Sequence, residues 1–394
     1  MNDDRPAGKF QSLAITHAVM TAGEASMVVA LADSFFFDVD LDAARSRLLA
    51  FLLIGFTPFL LVNGKLGPLV DRLRGGRRAM VVIIALTRLA VQVGMIFTAG
   101  GIALFPFVFA ALVLQKTYAV TKQAIVPTVV SNAEELVEAN SKLGRIATLT
   151  GAVAVLPAAG IQRVLGSGAT LAYGAVFFGA AVLLAARLPR TRRNPRSRVH
   201  AGTSSTAHDE AHMGWIAMAV LRFSQGFVLF QVALWFRGNA APQIWLAAAV
   251  GLGAMAPFLG NTVGPVIRKR VDVEVMLTTA LAMPAVVAVA ATVLGGYLMG
   301  VVLSIVVNLC GAIGRLAFES IVQTSDEDEG RGAAFAWFET RFQLGWVAGA
   351  AVPILIEMSG VVGLGYLAVV LAVAAVMYGI VSRGDARRNL AIRR

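Results

Sequence analysis

Among its 394 residues the chain has one cysteine and four histidines, and only 14% of it is charged. The lone cysteine, Cys310, lies inside an apolar run, which excludes an internal disulfide and a thiolate metal cluster. Soluble globular chains carry roughly 25% charged and about 45–50% apolar residues. Here 57% is hydrophobic, and departure in both directions excludes an ordinary soluble domain. The net charge of +11 raises the question of nucleic acid. Its basic residues, however, are scattered through short connections between apolar runs, the pattern of membrane topology. No nucleic-acid partner is expected. A Walker-type phosphate loop is missing, and so is any nucleophile–base–acid arrangement. Neither ATP-driven work nor hydrolysis has support, and no enzyme activity, cofactor or metal is expected.

What is present is hydrocarbon-length sequence. Apolar runs of about 18 residues or more recur, long enough to cross roughly 30 Å of bilayer core. About twelve spans are expected: 13–36, 47–66, 79–99, 102–122, 143–162, 169–186, 214–236, 243–266, 275–295, 299–320, 333–356 and 361–381. Short Gly- or Pro-containing pieces separate them, among them AGG (99–101), GSG (166–168), GNAAPQ (238–243) and GG (295–296). The first run, Leu13 to Phe37, follows a mixed-charge MNDDRPAGK. It is longer than a signal-peptide core and lacks a small-residue cleavage site, so it reads as a retained helix.

The connections alternate in charge. KLGPLVDRLRGGRR, RLPRTRRNPRSR (187–198), IRKR (267–270) and the tail RGDARRNLAIRR are basic, and those between them are nearly uncharged. Of the 34 Lys and Arg, only Arg45, Arg47, Arg163 and Arg237 fall in the alternate connections; the others lie on the termini's side or within helices. The positive-inside rule then places both termini in the cytoplasm, with an even number of spans in the plasma (inner) membrane. The longest break, 187–213, reads as a flexible cytoplasmic linker between an N-terminal bundle (1–186) and a C-terminal bundle (214–394). The halves echo each other at a shift near half the chain: TPFL…GPLVDR (57–72) returns as APFL…GPVIRK (256–269). Arg145 and Pro157 return as Arg341 and Pro353. Duplication of a six-helix half implies two bundles around a central cavity.

Topology accounts for the arginines of GPLVDRLRGGRR (67–78), but not for Asp71 or the glycines around it. A carboxylate at the cytoplasmic end of a helix gains nothing from its own dipole. It gains from another helix's N-terminus or from arginines beside it. The stretch resembles the signature of the major facilitator superfamily, roughly G-x-x-x-D-R-x-G-R-R between the second and third helices. Gly67, Asp71 and Arg72 match in register, and Gly76, Arg77 and Arg78 match after a two-residue lengthening. The second-half copy keeps Gly264 but has Arg268 where the acid would stand. ALADSFFF, GPLVDRLRGGRR and VEANSKLGRI further resemble uncharacterised actinobacterial members, which supply no substrate. The resemblance implies an all-α polytopic membrane protein of about twelve helices in two pseudo-symmetric six-helix bundles. It also implies alternating access, with the loop as a gating latch whose acid meets the N-terminal end of the eleventh helix, here GRGAAF (330–335). The other reading of the loop is a topology signal alone. Pro157 and Gly160 resemble part of the family's antiporter signature, G-x-x-x-G-P-x-x-G-G, with Leu156 and Ile161 replacing two of its glycines.

An ionisable side chain at mid-bilayer costs about 2.5–3.5 kcal/mol on insertion scales, so each one raises a functional question. Glu24 lies near the centre of the first span, and Asp33 is nine residues on, half a turn round an ideal helix. Arg88 is near the middle of the third span, and Arg222 is about a third of the way into the seventh. Glu24, Asp33, Arg88 and Arg222 are the candidates for a proton and substrate cavity, with Asp33 read alternatively as interfacial. Lys116, Arg145, Arg315, Glu319, Glu339 and Arg341 lie in inner halves and read as structural ion pairs or snorkelling groups; Arg315 and Glu319 have i,i+4 spacing. His17 reads as a packed or interfacial histidine, and DEDE (326–329) as a solvated loop.

These features lead to an expected secondary transporter, a monomer. Its expected cargo is an amphipathic or lipophilic small molecule, exported in exchange for protons. Lipid or lysolipid translocation and solute import on the same fold are the alternatives, and a non-transporting membrane sensor or assembly protein is the alternative of another class.

Overall fold

The computed structural model describes residues 6–36, 76–98, 103–130, 133–188, 204–325 and 331–392. The expected second span (47–66) and most of the GPLVDRLRGGRR loop lie outside the described residues. Helix α1 is Pro6–Phe36, α2 Gly76–Thr98 and α3 Leu104–Ile125, followed by a 3-10 turn, Val126–Thr128. Helix α4 is Ala133–Ala185, α5 Ser204–Gly238, α6 Gln243–Arg268 and α7 Val273–Leu294. Helices α8 (Gly296–Ser325), α9 (Arg331–Leu355) and α10 (Gly360–Ile392) complete the described chain. Local chemistry marks several ends. Pro6 opens α1, where its missing N–H costs nothing. Pro127 sits in the 3-10 turn that follows α3. Gly295, with φ of 65°, ends α7 immediately before α8.

Spans expected at 143–162 and 169–186 are one helical stretch with a single non-helical residue, Gly166 (φ 79°, ψ −176°). Only glycine occupies that region without strain. Fifty-three residues run straight would reach about 80 Å, more than twice the bilayer core. The stretch instead folds back on itself: Leu136, Ala139 and Leu143 share a core with Phe178, Ala181 and Ala185. Gly166 is therefore the reversal between two antiparallel arms, and the loop expected there shrinks to one residue. At the other expected linker, α5 begins at Ser204, so the last ten residues of the polar connection 187–213 are helical.

Two compact units divide the chain. The first comprises Met1–His200 with Asp326–Thr340, and the second Ala201–Ser325 with Arg341–Arg394. In the first, α1 and α2 pack on α4, and α2 packs on α3. Leu13, Met20, Ile84, Leu143 and Phe178 form one apolar layer, and Met27, Met95, Ala111 and Leu171 another. In the second, α8 packs against α5, α6 and α7, while α10 packs against α7 and α5. Helix α10 shows how membrane helices sort their faces. Leu364, Leu367, Leu371 and Tyr378 are buried, while Val362, Val369, Val373, Val376 and Ile380 are exposed. Both faces are apolar because one meets protein and the other lipid. The chain is an all-α, multi-pass membrane protein: among the described residues nine helices are long and apolar enough to cross a bilayer.

Candidate functional site

Within the first unit, the charged and polar side chains of α1, α2 and α3 converge on one level. Glu24 Oε1 stands 3.9 Å from Arg88 Nη2, and Gln115 Nε2 donates to Glu24 Oε2 at 3.1 Å. One layer along, His17 Nδ1 lies 3.3 Å from the Tyr118 hydroxyl. Positions 17 and 24 are two helical turns apart on one face of α1, as 115 and 118 share a face of α3. The pairing of 24 with 115 and 17 with 118 makes the two helices antiparallel neighbours along a polar stripe. The sequence left His17 as a packed or interfacial residue, and at 7% exposure it is buried.

Arg88, on α2, touches α1, α3 and α4. Its Nη1 donates to the Ala111 carbonyl at 3.0 Å on α3 and lies 3.7 Å from Met27 Sδ on α1. Its guanidinium stacks 4.5 Å from the centroid of Phe178 on α4, an attraction worth about 2 kcal/mol when desolvated. Phe178 comes that close because Gly23 has no Cβ: one built there would lie 2.8 Å from the ring. One turn on, Gln92 Nε2 donates to the Leu171 carbonyl at 3.1 Å and holds α2 to the second arm of α4.

The two ends of the pair differ. The Arg88 side chain is 1% exposed, whereas Glu24 retains 18%. Among the described residues, neither Glu24 Oε1 nor Arg88 Nη2 has a hydrogen-bond partner, although they face each other. The cation is fixed by packing, and the acid keeps the larger share of exposure, although the oxygen that faces Arg88 is itself buried. This arrangement suits a carboxylate that exchanges a proton beside a stationary positive charge.

The other expected residues distribute as follows. Asp33 lies on α1, but its side chain is outside the described residues, as are Gly67, Asp71, Arg72 and the side chain of Arg77. Gly76 opens α2 with φ of 71°. Arg78 donates to the Ala186 carbonyl just past the end of α4, where a cation is favoured by the helix dipole. Arg315 Nε and Glu319 Oε1 are 2.6 Å apart, as their spacing implies. Glu339 and Arg341, two apart on α9, point to different faces. Glu339 lies 3.8 Å from Lys116, and the Arg341 guanidinium is 5.8 Å from the Trp215 ring centroid. Arg145 is part-buried on the first arm of α4. In the second unit Arg222 Nη1 donates to Gln225 Oε1 at 3.2 Å. Gln225 Nε2 in turn donates to Asn308 Oδ1 at 3.3 Å.

Gln115, Gln225 and Asn308 escaped a reading that searched apolar runs for charges. Their signal was present: Gln225 is three residues from Arg222, and Asn308 is seven from Arg315, so each shares a helical face with a charge already singled out. Among the described residues no three His, Cys, Asp or Glu side chains are grouped to hold a metal ion.

No protein-family model matches the sequence. An uncharacterised protein of Mycobacterium leprae (strain TN) is 25% identical over 96% of this chain and 72% of its own length. An uncharacterised protein of Mycobacterium tuberculosis (strain CDC 1551 / Oshkosh) is 32% identical, over 38% of this chain and 28% of its own. Among solved structures, a bacterial homologue of the iron transporter ferroportin, in an outward-facing state, superposes with a TM-score of 0.73. It is 18% identical and covers 96% of this chain and 99% of its own. FucP, a major facilitator superfamily transporter in the outward conformation, superposes at 0.67 with 11% identity over 94% and 98% of the two chains. The chain has the major facilitator fold. The human organic anion transporter MFSD10 (TETRAN) shares it as well, at a TM-score of 0.71 and 11% identity over 94% of this chain and 98% of that one. The Glu24–Arg88 pair lies on α1 and α2, the first two described helices.

Proposed function

We propose that the protein is a proton-coupled secondary transporter that exports an amphipathic or lipophilic small molecule by alternating access. The carrying observation is the Glu24–Arg88–Gln115 group: a part-buried carboxylate, deep in a span, held 3.9 Å from an immobilised guanidinium. A buried acid facing a fixed cation is costly to keep for structure alone. Proton exchange at Glu24 changes the charge of the group by one while Arg88 stays put, so the two protonation states favour different ligands or conformations. FucP, a fucose:proton symporter, moves protons on this fold, which supports coupling here as well.

In this reading both termini and the 187–213 connection are cytoplasmic, the membrane is the plasma membrane, and the Gly67–Arg78 loop latches the cytoplasmic side through Asp71. The test is reconstitution into sealed vesicles with an imposed pH gradient, using a panel of amphipathic fluorescent dyes. Expected is gradient-driven dye movement that collapses with a protonophore and is lost in Glu24→Gln. Dye movement of equal size in Glu24→Gln, or no response to the gradient in wild type, overturns the coupling.

A further inference from the structure

Buried polar atoms in folded proteins nearly always have a hydrogen-bond partner. Around the ion pair of the first unit, Arg88 Nε, Arg88 Nη2, Glu24 Oε1 and Gln92 Oε1 are buried and have none among the described residues. The two nitrogens are donors and the two oxygens acceptors. Arg88 and Gln92 are four positions apart on α2, on one helical face. A Cβ on Gly174 would lie 2.6 Å from Gln92 Nε2 and 3.4 Å from the Gly23 carbonyl oxygen. The Gln92 amide therefore sits beside the stretch of α1 that carries Glu24.

Each group is turned by the bonds its other atoms make. Arg88 Nη1 donates to the Ala111 carbonyl, which leaves the guanidinium edge formed by Nε and Nη2. Glu24 Oε2 accepts from Gln115, which leaves Oε1 toward that edge. Gln92 faces the Leu171 carbonyl. A carbonyl cannot donate, so the amide nitrogen must be the atom there and Oε1 points elsewhere.

Direct pairing does not satisfy these atoms. The 3.9 Å between Arg88 Nη2 and Glu24 Oε1 exceeds the roughly 2.7–3.2 Å of an N–H···O bond. A water set beside that gap reaches both ends: two bonds of about 2.9 Å meet at its oxygen at roughly a right angle. Water accepts from one group and donates to the other, which matches an inventory of donors and acceptors together. Charge selects as well. Arg88 and Glu24 cancel, so a bare ion of either sign would leave a net charge among apolar helices. Arg88 and Gln92 are each 1% exposed, which suits a ligand of the size of water.

We propose that Glu24, Arg88 and Gln92 bind ordered water that bridges the ion pair, with Gln92 as a positioning residue for it. The inference rests on the transport reading in one respect: the bridging water is then the last proton carrier to Glu24. It takes up a solvent proton, passes one of its own to Oε1 and is left as water.

The test is a crystal structure of the full chain in lipid, from crystals grown in bromide and diffracting well enough to show ordered water. Expected is a peak within hydrogen-bond distance of both Arg88 Nη2 and Glu24 Oε1, without anomalous signal, and another between Arg88 Nε and Gln92 Oε1. A direct Glu24–Arg88 contact, or a gap without a peak, overturns the site. So does a peak with the anomalous signal of bromide, which assigns a halide. Gln92→Leu is expected to lose the peak beside Nε and keep the one beside Nη2; both peaks unchanged overturns the role of Gln92. The wild-type structure decides the water site even where that variant does not fold. Infrared difference spectra between acid and neutral buffer test the relay. A water stretching band that shifts in heavy-oxygen water is expected in wild type and not in Glu24→Gln; the same band in both overturns the relay. The two readings fail separately. Bridging water without gradient-driven transport refutes only the transporter. Gradient-driven transport with a direct, dry pair refutes only the water site.

Discussion

At the scale of single residues, Glu24 and Arg88 are unequal partners. Replacing Arg88 leaves a carboxylate among apolar helices without its cation, and removing one member of a buried pair typically costs about 3–5 kcal/mol. Arg88→Gln and Glu24→Gln are therefore each expected to lower the melting temperature, since each leaves the other member of the pair without its counter-charge. In the double variant the loss should fall well short of the sum, with a coupling of roughly 0.5–3 kcal/mol. Additive losses mean that the two side chains act independently. Proton release on ligand binding gives the functional counterpart: wild type should release protons and Glu24→Gln should not, while equal release from both passes the role to Asp33. Glu24 and Arg88 were legible in the sequence because charges in apolar runs are conspicuous. Gln115, Gln225 and Asn308 were not, since a neutral amide carries no charge to single it out and many are satisfied by a neighbouring carbonyl. The pairing of Glu24 with Arg88, 64 positions apart in sequence, depends on tertiary packing that no local pattern encodes.

At the scale of elements, helices approach where side chains are missing. On α9, Gly345 and Gly349 are one turn apart, and both face the backbone of α5. A Cβ on Gly345 would lie 2.7 Å from the Ala219 carbonyl oxygen, and one on Gly349 would strike that of Phe223. Gly226 of α5 meets the Trp346 carbonyl reciprocally. Small residues at i and i+4 are the means by which helices without a hydrophobic driving force pack closely. Gly349→Leu should force the pair apart and destabilise the fold by about 1–3 kcal/mol or more, read as a fall in Tm in detergent. An unchanged Tm shows that α9 is not seated on α5 at this point. Span positions were legible because about 20 apolar residues are demanded by bilayer thickness. The GSG at 166–168 marked where two spans part, but not that one residue suffices, because that depends on a backbone angle.

At the scale of the whole molecule, the alternating charge of the connections sets the expected orientation. With Cys310 replaced by serine, cysteines at Ser205 and Asn389 should react only with reagents that reach the cytoplasm, and one at Gly238 only from outside. Labelling of Ser205Cys from outside reverses the six-plus-six arrangement. The latch belongs to this scale too. Asp71→Asn should insert and fold normally while removing roughly 0.3–2 kcal/mol from one state only, and about 1.4 kcal/mol changes a two-state ratio tenfold. Reactivity of cysteines lining the cytoplasmic side should then rise; unchanged reactivity with full transport leaves the loop as a topology signal.

Because one residue separates the two arms of α4, the ribosome delivers them as a single apolar stretch of 51 residues. Gln162 and Arg163 are the only markedly polar side chains near the bend. An insertion machinery that takes helices one at a time meets only the short GSG between these two, so they are expected to enter the bilayer together as a hairpin. In the expected orientation the bend carries the Arg163 charge across the membrane. The apolar surface of both arms is then expected to drive that crossing jointly.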